Sequence, residues 1–263
     1  MPYERTVRLL CFFVTLAAMA AWEVVAPRRP LTVGKPLRWF ANLSLVAIDT
    51  ATVRLLLPLL PVGMAVAARE RGWGLLNIVA VPAPVGIALA VVMLDFVIYL
   101  QHRMFHGVPL LWRLHRMHHT DLDIDVTTGN RFHPLEIIIS MGIKVAAVAL
   151  LGAPAAAVVA FEVALNATSQ FNHGNVRMHL PLDRWLRLLV VTPDMHRVHH
   201  SVVPRETDSN FGFNLPWWDR LCGTYRPQPA AGHDGMTIGL REFRDPAQLT
   251  LLRLLVQPFA RKP

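Results

Sequence analysis

Residues 9–27, LLCFFVTLAAMAAWEVVAP, form an apolar run long enough to cross a hydrocarbon core, and no other feature restricts the fold as much. A helix of this length covers roughly 28 Å at 1.5 Å per residue, against roughly 30 Å for a bilayer core. Inside lipid the backbone has no water to bond, so a spanning segment has to be a helix or part of a closed barrel. Pro27, Arg28, Arg29 and Pro30 end the run. A signal peptide is the competing reading, with Arg5 and Arg8 as its basic flank and Ala18-Met19-Ala20 as a cleavage pattern. Further apolar runs downstream favour a membrane anchor.

Residues 43–67 are apolar but carry Asp49, Arg54, Pro58 and Pro61, which reads as a broken span or a surface helix. Residues 74–100 are a clearer span that stops just before a cluster of histidines. Residues 137–168 are interrupted at Gly152-Ala153-Pro154, leaving halves of about 15 residues and about 22 Å each. A hairpin that dips into the membrane and returns is the economical solution; a pair of tilted spans would give the same sidedness. Past 174 the chain turns polar, Trp217 and Trp218 are expected at headgroup level, and the C-terminal LLRLLVQPF reads as an amphipathic surface helix. The expected architecture is all-α: one integral membrane helical domain over 1–263, with spans within 9–100, a hairpin at 137–168, and a cytoplasmic histidine-rich cap from 101–136 and 169–226. The linker 28–42 holds Arg28, Arg29, Lys35 and Arg38, and the positive-inside rule places it and the cap on the cytoplasmic face of the inner membrane.

Composition agrees, with 53% hydrophobic and 17% charged residues. The net charge of +8 is almost wholly arginine that flanks apolar runs, which fits anionic headgroups and not nucleic acid. Cys11 and Cys222 cannot build a disulfide framework or a thiolate metal site, so any metal ligands must be nitrogen or oxygen.

Nitrogen is abundant. His102 and His106 stand four apart, on one face of a helix, where both reach one ion. His115, His118 and His119 add the spacings i, i+3 and i+4, which again gather imidazoles on one face, and HRMHH at 115–119 returns as HRVHH at 196–200, with His196, His199 and His200. Eight clustered histidines exceed what one four-coordinate ion uses, so a dinuclear centre is expected. Imidazole suits iron, copper, nickel and zinc alike, and ligand type leaves the metal open. A histidine-based membrane metal transporter is the alternative from another class. It would hold its ligands near the bilayer midplane, whereas these clusters follow the apolar runs.

The order H-x-x-x-H, H-x-x-H-H, H-x-x-H-H resembles the fatty acid hydroxylase and sterol desaturase superfamily over residues 90–226, together with Asn130-Arg131-Phe132-His133-Pro134 and Phe171-Asn172-His173-Gly174-Asn175. The resemblance implies a di-iron enzyme that uses O2 and two electrons to hydroxylate or desaturate a lipid or sterol C–H bond. Zinc can replace iron on overexpression. It implies His102, His106, His115, His118, His119, His196, His199 and His200 as ligands, with His173 as a ninth. His133, just before Pro134, is either a helix cap or a partner of a ligand; Asp95, Asp125, Asp194 and Asn172 are candidates to accept the second ring N–H of a ligand. His179 and His233 fit no box and read as surface histidines. The sequence lacks a dinucleotide fingerprint and any haem or cysteine cluster, so a separate electron-donor protein is expected.

Overall fold

The structure is a computed structural model that describes residues 3–260. The first two and last three residues of the expected 1–263 domain lie outside the described residues. Helices α1 (Glu4–Val25), α2 (Lys35–Leu56), α3 (Pro61–Arg71), α4 (Leu75–Ile78), α5 (Ala83–Gly107), α6 (Pro109–His119), α7 (Pro134–Leu151) and α8 (Ala155–Asn172) come first. Shorter ones follow: α9 (Leu180–Leu186), α10 (Pro193–His199), α11 (Pro204–Thr207), α12 (Trp217–Leu221), α13 (Gly232–Gly235) and α14 (Leu251–Val256). Among the described residues there is no strand, only the isolated bridges Pro27 to Val176 and Ser201 to Ile238. Among the described residues four stretches are long and apolar enough to cross a membrane: α1, the run 35–78, α5 and α7.

Proline sets most of the boundaries. Pro36, Pro61, Pro84, Pro109, Pro134 and Pro193 each stand in the first two positions of a helix, where a missing N–H costs nothing. The span expected at 74–100 is displaced for the same reason. The residue ahead of Pro82 is pushed out of helical geometry and Pro82 itself is extended (φ −54°, ψ 138°), so the long helix starts at Ala83 and runs to Gly107. His102 and His106 therefore belong to the last turns of the span itself. Pro58 and Pro61 split the 43–67 region into the end of α2 and the start of α3. The two halves expected within 137–168 are longer than their apolar cores, 18 residues each, about 27 Å if straight.

Helix α5 packs between α7 and α8, with Leu94 and Ile98 against Val148, Val158 and Phe161. Lipid tails are as apolar as these side chains, so close packing rather than transfer from water holds such helices together. The buried small residues Ala65, Ala90, Ala147 and Ala157 let the backbones approach. At the end remote from the histidines Gly74 touches the α7–α8 turn: a Cβ there would lie 2.1 Å from the Gly152 nitrogen. At the histidine end, the Glu23 carboxylate accepts from the backbone of Val126 (2.7 Å) and Asn175 (2.9 Å), tying α1 to two cap loops.

Three segments near the histidine end are placed more closely than the sequence indicates. Helix α14 is only six residues long, and Leu254 is buried against Leu45 and Met117, so the C-terminal segment is fastened to α2 and α6 through one face. Trp218 turns inward, its indole donating to Asp95 (2.8 Å) and its ring lying 4.6 Å from Phe96, whereas Trp217 remains exposed. The basic linker is largely engaged: Arg28 pairs with Asp234 and Asp194, Lys35 with Glu23, and Arg38 is fully buried. These charges have a structural use that does not depend on the side of the membrane they face.

Candidate metal centre

His102 and His106 lie on α5, His115, His118 and His119 on α6, and His196 and His199 on α10, with His200 just past its end. His173 follows α8. Their ring nitrogens form two groups, His102, His106, His115, His119 and His199 in one and His118, His173, His196 and His200 in the other. Within each group one nitrogen per residue lies within 4.8 Å of all the others. The three imidazoles of a pentapeptide thus do not converge on one point, as their common face had suggested. Neighbours i+3 and i+4 are splayed by about 100° around a helix, so i and i+4 share a group and i+3 joins the other.

The hydrogen bonds of these rings test whether a cation fits. Backbone carbonyls accept from Nδ1 of His102 (Phe211, 2.7 Å), His173 (Ser169, 2.7 Å), His199 (Ser209, 2.7 Å) and His118 (Arg131, 3.2 Å). The Glu136 carboxylate accepts from Nδ1–H of His115 at 2.7 Å, and Asp208 lies 3.2 Å from Nδ1 of His106. A carbonyl can only accept, so in those rings Nδ1 carries the proton and Nε2 presents a lone pair. Nε2 of His102 faces Nε2 of His115 at 3.1 Å, and Nε2 of His173 faces those of His118 and His196 at 3.1 Å. Opposed lone pairs repel, and this spacing is close to the edge of a coordination shell with metal–nitrogen bonds of about 2.1 Å. Both nitrogens of His119 and His200 are buried without a hydrogen-bond partner. The arrangement fits two cations, one per group.

Burial also keeps six of these rings neutral. It pushes His118, His119, His196 and His200 well below the ordinary imidazole range, helped by surrounding imidazoles, and lowers His173 to about 4 and His199 to about 3. A neutral imidazole is the form that ligates.

The histidine-bearing helices rest on a buried polar network that the sequence did not disclose. Arg38 bonds Asp121 (2.7 and 2.8 Å), Asp125 (2.5 Å) and the Asp123 carbonyl (2.9 Å), with its side chain fully out of solvent. It fixes the loop between α6 and α7, and that loop presents the Arg131 carbonyl to His118. Phe132 stacks on His118 with ring centroids 4.8 Å apart.

The secondary candidates fare differently. His133 caps α7, its Nδ1 accepting from Leu135 (3.2 Å) and its Nε2 donating to the Leu255 carbonyl (3.1 Å), and it stands in neither group. Asp95 accepts from Trp218 and from the Leu215 backbone, Asp125 from Arg38 and Thr127, and Asn172 donates to the Phe213 carbonyl. Asp194 pairs with Arg197 and Arg28. None of these four bonds a ligand ring, because each is claimed by a nearer donor or carbonyl. His233 is a correction: only 6% exposed, it packs with Nε2 3.7 Å from Asp194 inside the cap, while His179 is exposed. The groups that do hold ring protons, Glu136 and Asp208, were missed. Glu136 left a signal as the lone acid in the first turn of an apolar helix. Asp208 left none.

A cavity of about 350 Å³ runs from His102 and His115 between α2, α5, α7 and α8. Val46, Ile98, Phe105 and Phe132 line it near the histidines, and Lys144, Glu162 and Arg8 line its far wall. Lys144 is buried and faces protein, bonded to Glu162 at 3.0 Å, and Arg8 bonds the other Glu162 oxygen at 2.6 Å. The cavity reaches the flank of the bundle where Thr50 and Arg54 are exposed.

Comparison with known proteins gives the same direction. The chain is 33% identical over 184 residues to ornithine lipid hydroxylase OlsE of Rhizobium tropici, covering 69% of this chain and 52% of that protein. It is 29% identical over 221 residues to alkylglycerol monooxygenase of Xenopus tropicalis, covering 83% of this chain and 48% of that one. The human alkylglycerol monooxygenase is 33% identical over 151 residues, 57% of this chain and 32% of the relative. The chain thus spans about half the length of the first two relatives and about a third of the third. No solved structure matches. The fatty acid hydroxylase model matches residues 87–224, which hold all nine of the gathered histidines, and the chain belongs to the fatty acid hydroxylase family.

Proposed function

We propose that this protein is a membrane-bound, O2-dependent lipid hydroxylase with two iron ions, one in each histidine group. The opposed Nε2 lone pairs of His102 and His115 at one end of the 350 Å³ cavity, with a second opposed pair at His118 and His173, carry this reading. Both first relatives are named as oxygen-inserting enzymes, one on ornithine lipid and one on alkylglycerol, which favours hydroxylation over desaturation. Bound iron would supply the two-electron activation of O2 that an unactivated C–H bond requires. The chain's own residues do the rest. His102, His106, His115, His119 and His199 hold one ion and His118, His173, His196 and His200 the other. Glu136 and the carbonyls of Phe211, Ser169, Ser209 and Arg131 keep the protons on Nδ1, so each Nε2 stays free to bind metal. Val46, Ile98, Phe105 and Phe132 keep water from the substrate.

The active end faces the cytoplasm in this reading, with the cap formed by 101–136 and 169–226, and a separate protein delivers the electrons. A transporter fits less well, since the histidines sit at one end of the bundle with their second nitrogens fastened to backbone. The test is incubation of iron-loaded protein in native lipid with a reductant and 18O2. One 18O atom is expected in a lipid product, with about two metal ions per chain. Absence of label from every lipid, or a single ion per chain, overturns the reading.

A further inference from the structure

The charged side chains around the cavity are not equally satisfied. On the far wall Lys144 and Arg8 both pair with Glu162, so that group is neutralised internally. Gln101 is neutral and donates to Ser140 at 2.8 Å, although its Oε1 is unpartnered. Asp49 differs. It is 8% exposed, lines the cavity, and makes neither a hydrogen bond nor an ion pair; its Oδ1 is buried without a partner. The charged group that acts on it is Glu136, of the same sign, whose Oε2 is also buried and unpartnered.

Arg8 and Lys144 are engaged by Glu162, and helix geometry explains why α2 itself supplies no cation. Val46, Asp49, Thr50 and Val53 all line the cavity at spacings i, i+3, i+4 and i+7, so Asp49 sits in the middle of the inward stripe of α2. The positions that could reach it along the helix are Leu45, Val46, Thr52 and Val53, and none is basic. Arg54 is five residues on, about 140° away around the helix, and exposed at the rim. An unpaired carboxylate inside a membrane-embedded bundle is costly, and such groups mark the place where a substrate or ion is held. Two acceptor carboxylates of like sign, both with a free oxygen, call for a partner that brings positive charge and several N–H donors.

We infer that Asp49 binds the head of the substrate, and that this head carries an ammonium group. The inference rests on the lipid-oxidation reading for what happens next. Asp49 shares its end of the cavity with Glu136, His102 and His115, so the bond presented to the metal centre lies close to the head, and the chain extends toward Lys144 and Glu162. Glu136 to Lys144 is eight residues of α7, about 12 Å along the helix. Asp49 is a positioning residue, and it selects among lipids by head chemistry.

The probes are two single-chain lipids with the same acyl chain, one ending in a primary ammonium and the other in a hydroxyl. The metal-loaded full chain in nonionic detergent is given both in competition, and the lipid that co-elutes is measured by mass spectrometry. Wild type is expected to retain the ammonium lipid about tenfold or more over the hydroxyl lipid, the scale of a hydrogen bond to a charged group. Asp49→Asn keeps the shape and should abolish the preference while leaving metal content unchanged. No preference in wild type, or the same preference in Asp49→Asn, overturns the inference. The wild-type arm decides even if the variant misfolds. Because retention is read without turnover, a protein that sorts these heads but oxidises nothing would count against the proposed reaction and not against Asp49.

Discussion

The pentapeptides at 115–119 and 196–200 differ at one residue, methionine against valine, yet they serve the two histidine groups in opposite ways. In the first, His115 and His119 join the larger group and His118 the smaller; in the second, His196 and His200 join the smaller and His199 the larger. Each helix gives its i and i+4 pair to one group and its i+3 residue to the other. Two copies facing each other therefore build two near-equivalent three-histidine sets. What separates the groups is the remainder: α5 adds His102 and His106 to one, and only His173 completes the other. A repeat fixes the common part of the site, and the non-repeated helices make its halves unequal.

The strongest way to break this comparison is to remove one imidazole from each group. His118→Ala and His199→Ala are both expected to abolish lipid oxidation while the protein still inserts in the membrane. Metal content should separate them. His118→Ala leaves three ligands and should drop to about one ion per chain, whereas His199→Ala leaves four and should keep more of its second ion. Wild-type metal and turnover in both variants would mean that these groups are not the reaction centre.

A smaller effect is expected at the ring protons. Glu136 holds His115, but His196, its counterpart in the second pentapeptide, has an Nδ1 without a hydrogen-bond partner. Glu136→Gln should lower activity about 10- to 100-fold through the larger group alone. An unchanged rate would remove Glu136 from the site.

Acid should act on both groups late. An exposed imidazole titrates near 6.5, whereas burial lowers His173 to about 4 and His199 to about 3. A lowered native value means the neutral ring contributes fully above the unfolded value, and the contribution is lost as pH falls from there through the native one. Metal retained per chain during stepwise acidification should therefore fall nearer pH 4 than 6.5. Release centred at the higher value would show that the rings are not held neutral by burial.

The smallest change belongs to His133, which adjoins the site but stands in neither group. His133→Ala removes a helix cap worth about 1 kcal/mol, so thermal stability should drop by a few degrees with metal content unchanged. Loss of an ion would make it a ligand after all.

The clustered histidines were legible in the sequence because chelation needs a fixed spacing, and i, i+4 pairs stand out in a chain with 12 histidines. The sequence did not disclose which histidine goes where, since the division depends on how α6 and α10 face each other across more than seventy residues of chain. Long apolar runs gave the spans, but proline, not hydropathy, decided that α5 begins at Ala83. The supporting polar groups were harder to see. Asp95, Asp125 and Asp194 looked as suitable as Glu136, and only three-dimensional proximity distinguishes a carboxylate that meets a ring from one that meets an arginine or an indole. Asp121 and Arg38 lie 83 residues apart, and nothing in either local sequence announces the other.

The contact between Gly74 and the α7–α8 turn has a consequence for traffic. With only hydrogen atoms between the two backbones, nothing passes between α4 and the α7–α8 turn at that point, and the cap lies over the opposite end. A long-chain molecule has to come through the side, past Thr50 and Arg54. For the proposed lipid substrate, arrival would then be a search by lateral diffusion within one leaflet, with an encounter rate set by its mole fraction among membrane lipids and not by its concentration in water.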